Sequence, residues 1–250
     1  MATSNEHART FAALHRGGEP VILFNAWDAG SAKVVAEAGA KAIATGSASV
    51  AGAQGFHDAE ALPLELALAN AERVVRAVEL PVTIDFEGGY AVEPEALAGN
   101  MKRLAGTGAV GCNFEDQVIG GEGLHPVELQ TARIRAGRAA VGPDFFINAR
   151  TDIFLKSRAH DPAMVEAALE RGRAYAEAGA SGLFVPGLAD LDLLARFCAA
   201  SPLPVNFMAF PGAPGASEVA SAGVARISHG PFPWKLAMKA LKDAAEAVYG

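Results

Sequence analysis

Short runs of alternating apolar and polar residues recur along the chain, and each is followed by a longer stretch whose apolar positions fall three and four apart. The clearest alternation is V-T-I-D-F-E at 82–87. Val82, Ile84 and Phe86 face one way and Thr83, Asp85 and Glu87 the other, which is the period of a strand. Gly88-Gly89 follows, where the backbone can turn without a Cβ clash. Strands are predicted at 21–25, 42–45, 82–86, 110–115, 145–150, 182–186, 205–208 and 225–228. Helices are predicted after each, at 30–38, 61–78, 94–106, 126–141, 162–178, 191–200, 215–222 and 233–248. A short helix at 5–16, with Phe11 and Leu14 on its buried side, precedes them. Pro94, Pro126 and Pro162 open helices where a missing N–H costs nothing, and Ala38-Gly39, Ala178-Gly179 and Ala222-Gly223 close them. Eight strand–helix units in 250 residues predict a single (β/α)8 barrel over 1–250. A doubly wound open sheet is the competitor, but it would more often carry a glycine-rich phosphate loop after the first strand, where this chain reads N-A-W-D at 25–28.

Composition narrows the function. The chain is 51% hydrophobic, enough to bury a large core, and its net charge is −7 without a basic cluster, which argues against nucleic acid. Cys112 and Cys198 lie far apart and match no disulfide or metal framework, so a reducing cytoplasm is expected. Residues 1–16 are polar and carry no signal-peptide core, and no uncharged apolar run approaches membrane-spanning length.

In a barrel the chemistry sits at the C-terminal ends of the strands. Those ends carry Asn25, Trp27 and Asp28; Thr45, Gly46 and Ser47, with Asp58 beyond; Asp85 and Glu87; Asn113, Glu115 and Asp116; Asn148, Arg150 and Asp152; Asn206; Ser228 and His229. The strand starts are plain by comparison. Two carboxylates leaving one face, as Asp85 and Glu87 do, repel unless a cation sits between them, and oxygen-only ligation favours Mg²⁺ or Mn²⁺. The alternative is a strand end whose acids cap the next helix or face water. Parity puts Asn113 with Glu115 and Asn148 with Arg150; if those faces point inward, Asp85, Glu115 and Arg150 converge, and Arg150 could hold a carboxylate through two parallel bonds. Cys112 then faces the helices. His125, just before Pro126, is either a helix boundary or a proton donor in a loop over the site, and Gly120, Gly121 and Gly123 suit a lid.

With F-N-A-W-D-A-G-S-A-K at 24–33, A-T-G-S-A-S at 44–49, V-T-I-D-F-E-G-G-Y at 82–90, C-N-F-E-D-Q at 112–117 and N-A-R-T-D at 148–152, the sequence resembles the isocitrate lyase and phosphoenolpyruvate mutase superfamily. The resemblance implies a barrel that binds Mg²⁺ (or Mn²⁺) and a 2-oxo acid. By position it implies Asp85 as the direct metal ligand, Glu87 as holder of metal-bound water, and Glu115 and Asp58 as acids around that water. It further implies that Thr45, Gly46 and Ser47 hold the substrate's carboxylate or oxyanion, that Arg150 binds substrate and that Asn206 contacts it. One departure is plain. The family's lyases carry a Lys-Lys/Arg-Cys-Gly-His loop whose Cys is a general acid, and its phosphonomutases a Lys-Thr-Asn loop; residues 117–126 here read Q-V-I-G-G-E-G-L-H-P. The expected function is a Mg²⁺-dependent lyase on a small 2-oxo or 2-hydroxy acid, cleaving a C–C or C–P bond through a pyruvate enolate, with oxaloacetate-like decarboxylation favoured and Arg150, Glu115 and His125 as catalytic residues. The alternatives are an aldolase- or hydroxymethyltransferase-like C–C bond former on the same site, and a barrel that binds a 2-oxo acid without turnover. The resemblance also implies a homodimer or homotetramer with the C-terminal helix exchanged between subunits.

Overall fold

The structure is a computed structural model that describes residues 4–155, 157 and 159–250. Its eight strands are β1 (Val21–Leu23), β2 (Ile43–Ala44), β3 (Val82–Asp85), β4 (Gly111–Glu115), β5 (Phe146–Arg150), β6 (Gly182–Phe184), β7 (Val205–Met208) and β8 (Arg226–Ser228). All are parallel, in the order β1-β8-β7-β6-β5-β4-β3-β2. An isolated parallel bridge between Ala26 and Thr45 joins β1 to β2 just past their ends, so the sheet closes into a barrel. Ala26 N–H donates to Ala44 O (2.8 Å) and Gly46 N–H to Ala26 O (3.3 Å) across this seam.

The helices are α1 (Ser4–Ala13), α2 (Ala29–Glu37), α3 (Ser47–Ala53), α4 (Leu64–Ala77), α5 (Pro94–Gly106), α6 (Val127–Val141), α7 (Pro162–Glu177), α8 (Leu191–Ala200), α9 (Ala216–Ser221) and α10 (Phe232–Tyr249). The expected strand–helix alternation is present, with an extra helix. α3 is a run of small residues, S-A-S-V-A-G-A, too uniform to show a helical period, and the sequence gives no sign of it. α4 starts at Leu64 rather than 61 because Pro63 takes the N-cap, and Pro126 likewise caps α6 instead of opening it. No described helix is long and apolar enough to cross a membrane.

Strand parity sorts the side chains. Ile84, Cys112, Phe114, Ile147, Leu183, Phe207 and Ile227 point outward into the apolar layer beneath the helices. The barrel floor is plugged by Phe11 of α1, which packs with Val21, Leu23, Ala42, Ala44 and Phe146. Gly111 makes this plug possible, since a Cβ there would lie 2.7 Å from Phe146 O.

The helical layer is open at one place. Neighbouring helices pack in succession from α2 and α4 round to α8 and α9, whereas α10 makes no extended contact with any other described element. Its first turn rests on α3, where Trp234 lies against Gly52. Beyond that Leu236 (64% exposed) and Leu241 (63%) face outward, and Lys239–Asp243 and Lys242–Glu246 pairs support the helix along its own length. Where an eighth helix would cover β1, the outward-facing Ile22 and Phe24 and the α2 residues Val34 and Val35 instead line an open groove of about 520 Å³.

Gly111→Ala is expected to destabilise the barrel by about 1–3 kcal/mol, the cost of overpacking an interior that cannot yield at a main-chain oxygen. Urea unfolding midpoints measure it, and an unchanged midpoint would show that the plug gives way freely.

Candidate active site

The C-terminal mouth of the barrel gathers most of the expected acids. Asp85 ends β3, and its main-chain N–H donates to Thr45 Oγ1 (3.0 Å). Its carboxylate is held from α3: Ser47 N–H and Ser47 Oγ–H both donate to Oδ2 at 2.9 Å. The other oxygen, Oδ1, is buried and has no partner. An orphaned carboxylate oxygen is costly, and it needs either a cation or a proton.

Glu87 follows in the turn after β3. It is buried, and its Oε2 accepts from Glu60 N–H (2.8 Å). Burial and then the Asp85 charge push its pKa up to about 8. Asp58 is raised in the same direction, by burial and then Asp85. Glu60, whose Oε1 accepts from Tyr90 N–H (2.8 Å), ties the 58–60 loop to the turn after β3 and is also raised by burial. Sequence reasoning missed Glu60, although an acid two positions beyond Asp58 was a signal. Ala59, Glu60, Glu87 and Tyr90 are the non-glycine residues at positive φ among those described, and all four lie in these two facing segments. Arg133 of α6 braces the turn from behind, donating to Gly88 O and Ala91 O while its guanidinium covers the Phe114 ring.

Glu115 and Arg150 converge as strand parity predicts, at 2.7 Å. Arg150 is also forked onto Asp152, Nε to Oδ1 at 2.5 Å and Nη2 to Oδ2 at 2.8 Å. The two parallel bonds expected for a substrate carboxylate are therefore made to the chain's own acid, and only the remaining N–H groups of Arg150 are open to the cavity it lines. Burial works against the Arg150 charge, but Glu115, Asp152 and Asp85 outweigh it and raise its pKa. Burial pushes Glu115 up to about 8 in spite of Arg150.

The expected substrate donors are largely engaged within the barrel. Thr45 N–H donates to Thr83 O, continuing the β2–β3 ladder, and Gly46 N–H to Ala26 O across the β1–β2 seam; Ser47 is committed to Asp85, although Gly46 and Ser47 both line the cavity. Asn206 is buried below the cavity, its amide donating to Phe207 O, Arg226 O and Ser228 Oγ. His125 is pinned at both main-chain atoms, N–H to Asp116 O (2.8 Å) and O from Arg171 (2.9 Å), and does not line the cavity. Burial and the Arg133 and Arg171 charges lower its pKa. Asp28 caps α2, accepting from Ser31 N–H (2.7 Å). Cys112 is fully buried among the helices, its thiol pushed up to about 12 by burial.

The cavity holds about 220 Å³, room for about seven water molecules. Its polar lining includes Asp85, Asp58, Arg150 and Asn113, and its apolar lining Leu155, Phe184, Pro186 and Met208. The donor set is carboxylate oxygen, which fits a hard divalent cation at the orphaned Asp85 Oδ1. Among the described residues no three His, Cys, Asp or Glu side chains are grouped to ligate an ion directly. A cation here would therefore have Asp85 as its main protein ligand and keep several waters, as Mg²⁺ does.

A parallel barrel with acids, one shared Arg and an apolar wall at its C-terminal mouth is the frame of an enzyme for small oxygen-rich acids. The chain belongs to the phosphoenolpyruvate phosphomutase family, which it matches over residues 11–249, and so to the isocitrate lyase and phosphoenolpyruvate mutase superfamily of lyases and mutases. It is an enzyme of that lyase type. It is 50% identical to a presumed phosphonomutase from Burkholderia cenocepacia J2315 of known structure, with a TM-score of 0.95 over 98% of this chain and 99% of the other. It is 30% identical to the 2-methylisocitrate lyase of Salmonella typhimurium over 92% of this chain and 79% of that one. It shares its fold with a phosphonopyruvate hydrolase solved with oxalate and Mg²⁺, at 21% identity, TM-score 0.86, over 99% and 87% of the two chains.

Because the folded pKa of Glu87 lies above its unfolded value, the native state holds a proton that the unfolded state loses first. Its contribution to stability is present below about pH 4.5 and is lost as pH rises towards about 8. In chelator, Glu87→Gln is therefore expected to gain thermal stability relative to wild type as pH rises over that window. Parallel Tm–pH curves would show that Glu87 titrates normally.

Proposed function

We propose that the chain is a divalent-metal-dependent lyase for a small 2-oxo acid, breaking the bond at C3 and leaving the enolate of pyruvate or a close homologue, with decarboxylation of an oxaloacetate-like acid favoured. The observation that carries this reading is Asp85, with one oxygen clamped by Ser47 and the other orphaned among acids at the mouth of the barrel. Asp85 would ligate Mg²⁺ or a similar ion directly, with Glu87, Asp58 and Glu115 holding the surrounding water. Bound there, the ion supplies Lewis acidity to the 2-oxo group.

The chain's own residues do the rest. Ser47 fixes Asp85, so the metal-binding oxygen needs no rearrangement. Ala48 N–H, in the first turn of α3, has no partner among the described residues and lines the cavity, as do the remaining N–H groups of Arg150. These donors suit the substrate carboxylate. The apolar lining of Leu155, Phe184, Pro186 and Met208 suits a leaving group that departs as neutral CO₂. The titratable side chains on the cavity, among the described residues, are Asp58, Asp85 and Arg150.

Oxalate, an enolpyruvate mimic, is expected to bind only with Mg²⁺ or Mn²⁺ present and to lose binding in Asp85→Ala. The same preparation should release pyruvate from oxaloacetate above the metal-only background and no succinate from 2-methylisocitrate. Equal oxalate affinity in chelator would remove the metal from the reading, and succinate release from 2-methylisocitrate would remove the decarboxylation.

The open groove over β1 and the unpaired α10 support an exchange of α10 between two copies of this chain. The barrel lacks one covering helix, and the chain holds one amphipathic helix with nothing to cover. Light scattering at micromolar concentration is expected to give a dimer or a larger even assembly, and Leu236→Asp/Leu241→Asp to shift it to monomer. A monomeric wild type would sink the exchange.

A further inference from the structure

A layer of amides lies beneath the cavity, and one of them reaches it. β4, β5 and β7 each turn an asparagine inward: Asn113, Asn148 and Asn206. Asn113 pairs with Asp85 on one side and with Asn148 on the other. The direction in which each amide faces is fixed by groups that have no choice of role. Main-chain carbonyls only accept, so the Asn206 atom next to Phe207 O (2.7 Å) and Arg226 O (3.3 Å) is its NH₂. The Asn206 oxygen then faces Asn148 at 3.0 Å, so that Asn148 atom is also the NH₂. The same NH₂ reaches Asn113 at 2.8 Å, where it must meet the oxygen. From the other side the Arg226 guanidinium, which only donates, reaches the same Asn113 oxygen at 3.1 Å. Two independent constraints therefore turn Asn113 Oδ1 downward. Asn113 Nδ2 has no partner among the described residues and, unlike Asp85 Oδ1, is not sealed from solvent; Asn113 lines the cavity.

Arg226 is an odd residue to find at this level. It is buried inside the barrel with no carboxylate in contact, and its Nε and Nη1 have no partner among the described residues. Burial pulls its pKa down to about 10, so it remains a cation at neutral pH. Burying an unpaired guanidinium is costly, and stability alone would favour an apolar side chain there.

We propose that Asn113 is a substrate-binding residue whose amide N–H donates to an oxygen of the bound acid beside Asp85, and that Arg226 is the positioning residue that holds the amide in that orientation. The inference rests on the 2-oxo acid reading above. A fixed neutral donor accepts nothing, so it favours an oxo oxygen and disfavours a 2-amino acid, whose N–H groups would face another N–H. It also stabilises charge that develops on the oxo oxygen without a proton moving.

The test is oxalate affinity by calorimetry with Mg²⁺, on folded wild type, Asn113→Ala, Asn113→Asp, Arg226→Met, Arg226→Lys and the Asn113→Ala/Arg226→Met double variant. Asn113→Ala is expected to weaken binding by about 10- to 100-fold, the loss of one hydrogen bond to a charged ligand. Asn113→Asp should be weaker still, because it turns an acceptor towards an anion. Arg226→Met should weaken binding as well, while the double variant binds no worse than Asn113→Ala, since Arg226 acts through Asn113. Arg226→Lys, which keeps a donor and a charge, serves if Arg226→Met fails to fold, and it should fall between wild type and Asn113→Ala. Unchanged affinity in Asn113→Ala, with wild type binding normally, overturns the inference and spares the 2-oxo acid reading. Additive losses in the double variant remove Arg226. A wild type that binds no oxalate with Mg²⁺ overturns both together.

Discussion

The site depends on one carboxylate held by one of its two oxygens. Ser47 gives both its main-chain N–H and its hydroxyl to Asp85 Oδ2. That double bond of donors fixes the rotamer and leaves Oδ1 without a partner. Everything around it follows from the charge so placed. Asp85 adds to burial in raising the pKa of Asp58 and Glu87, adds to Glu115 and Asp152 in keeping Arg150 charged, and lies beside the Asn113 amide in the strand ladder. A helix of seven small residues exists in the chain at the point where Ser47 must start it. The extra element carries the clamp at its first residue and buries only a small apolar face, Val50 and Ala51 against Leu62.

The barrel was largely legible in the chain because its rules are local. V-T-I-D alternates, so β3 and its inward and outward faces followed directly, and the Glu115–Arg150 pair followed from parity on β4 and β5. What was not legible was the occupancy of hydrogen bonds. The sequence shows that Thr45, Gly46 and Asn206 can donate. It does not show that the β2–β3 ladder uses the first and the β1–β2 seam the second, or that the third is turned to main-chain carbonyls below the cavity. Arg150 illustrates the same point, since Asp152 two residues on takes the fork expected for substrate. Glu60 and Arg226 were missed for another reason. Glu60 lies in an irregular loop, where only its spacing from Asp58 marked it, and Arg226 begins a short strand in no pattern that distinguishes a working polar residue from a solvated one.

The outer layer and the inner floor present the same imbalance in opposite forms. Outside, an apolar groove lacks its helix and an amphipathic helix lacks its groove. Inside, a guanidinium and three amides occupy a level that a purely structural barrel would fill with branched aliphatic side chains. In both places the chain holds groups that its own packing does not require.

Four residues with side chains adopt the left-handed backbone region, and all four belong to the two segments that carry Glu60 and Glu87. Each such residue forgoes roughly 1–2 kcal/mol that glycine would keep. A domain of ordinary marginal stability can carry this only where neighbouring bonds over-determine the loop, as the Glu60–Tyr90 and Glu60–Glu87 contacts do. Tolerance to mutation is therefore unevenly distributed along this chain. Ala59 is the position where glycine would relax the backbone at no loss of a working side chain, since Tyr90 packs its ring on Phe86 and Glu60 and Glu87 supply acids to the proposed metal shell. A lineage drifting towards thermal robustness could exchange the first freely, whereas exchanging the others would trade strain for packing or for charge.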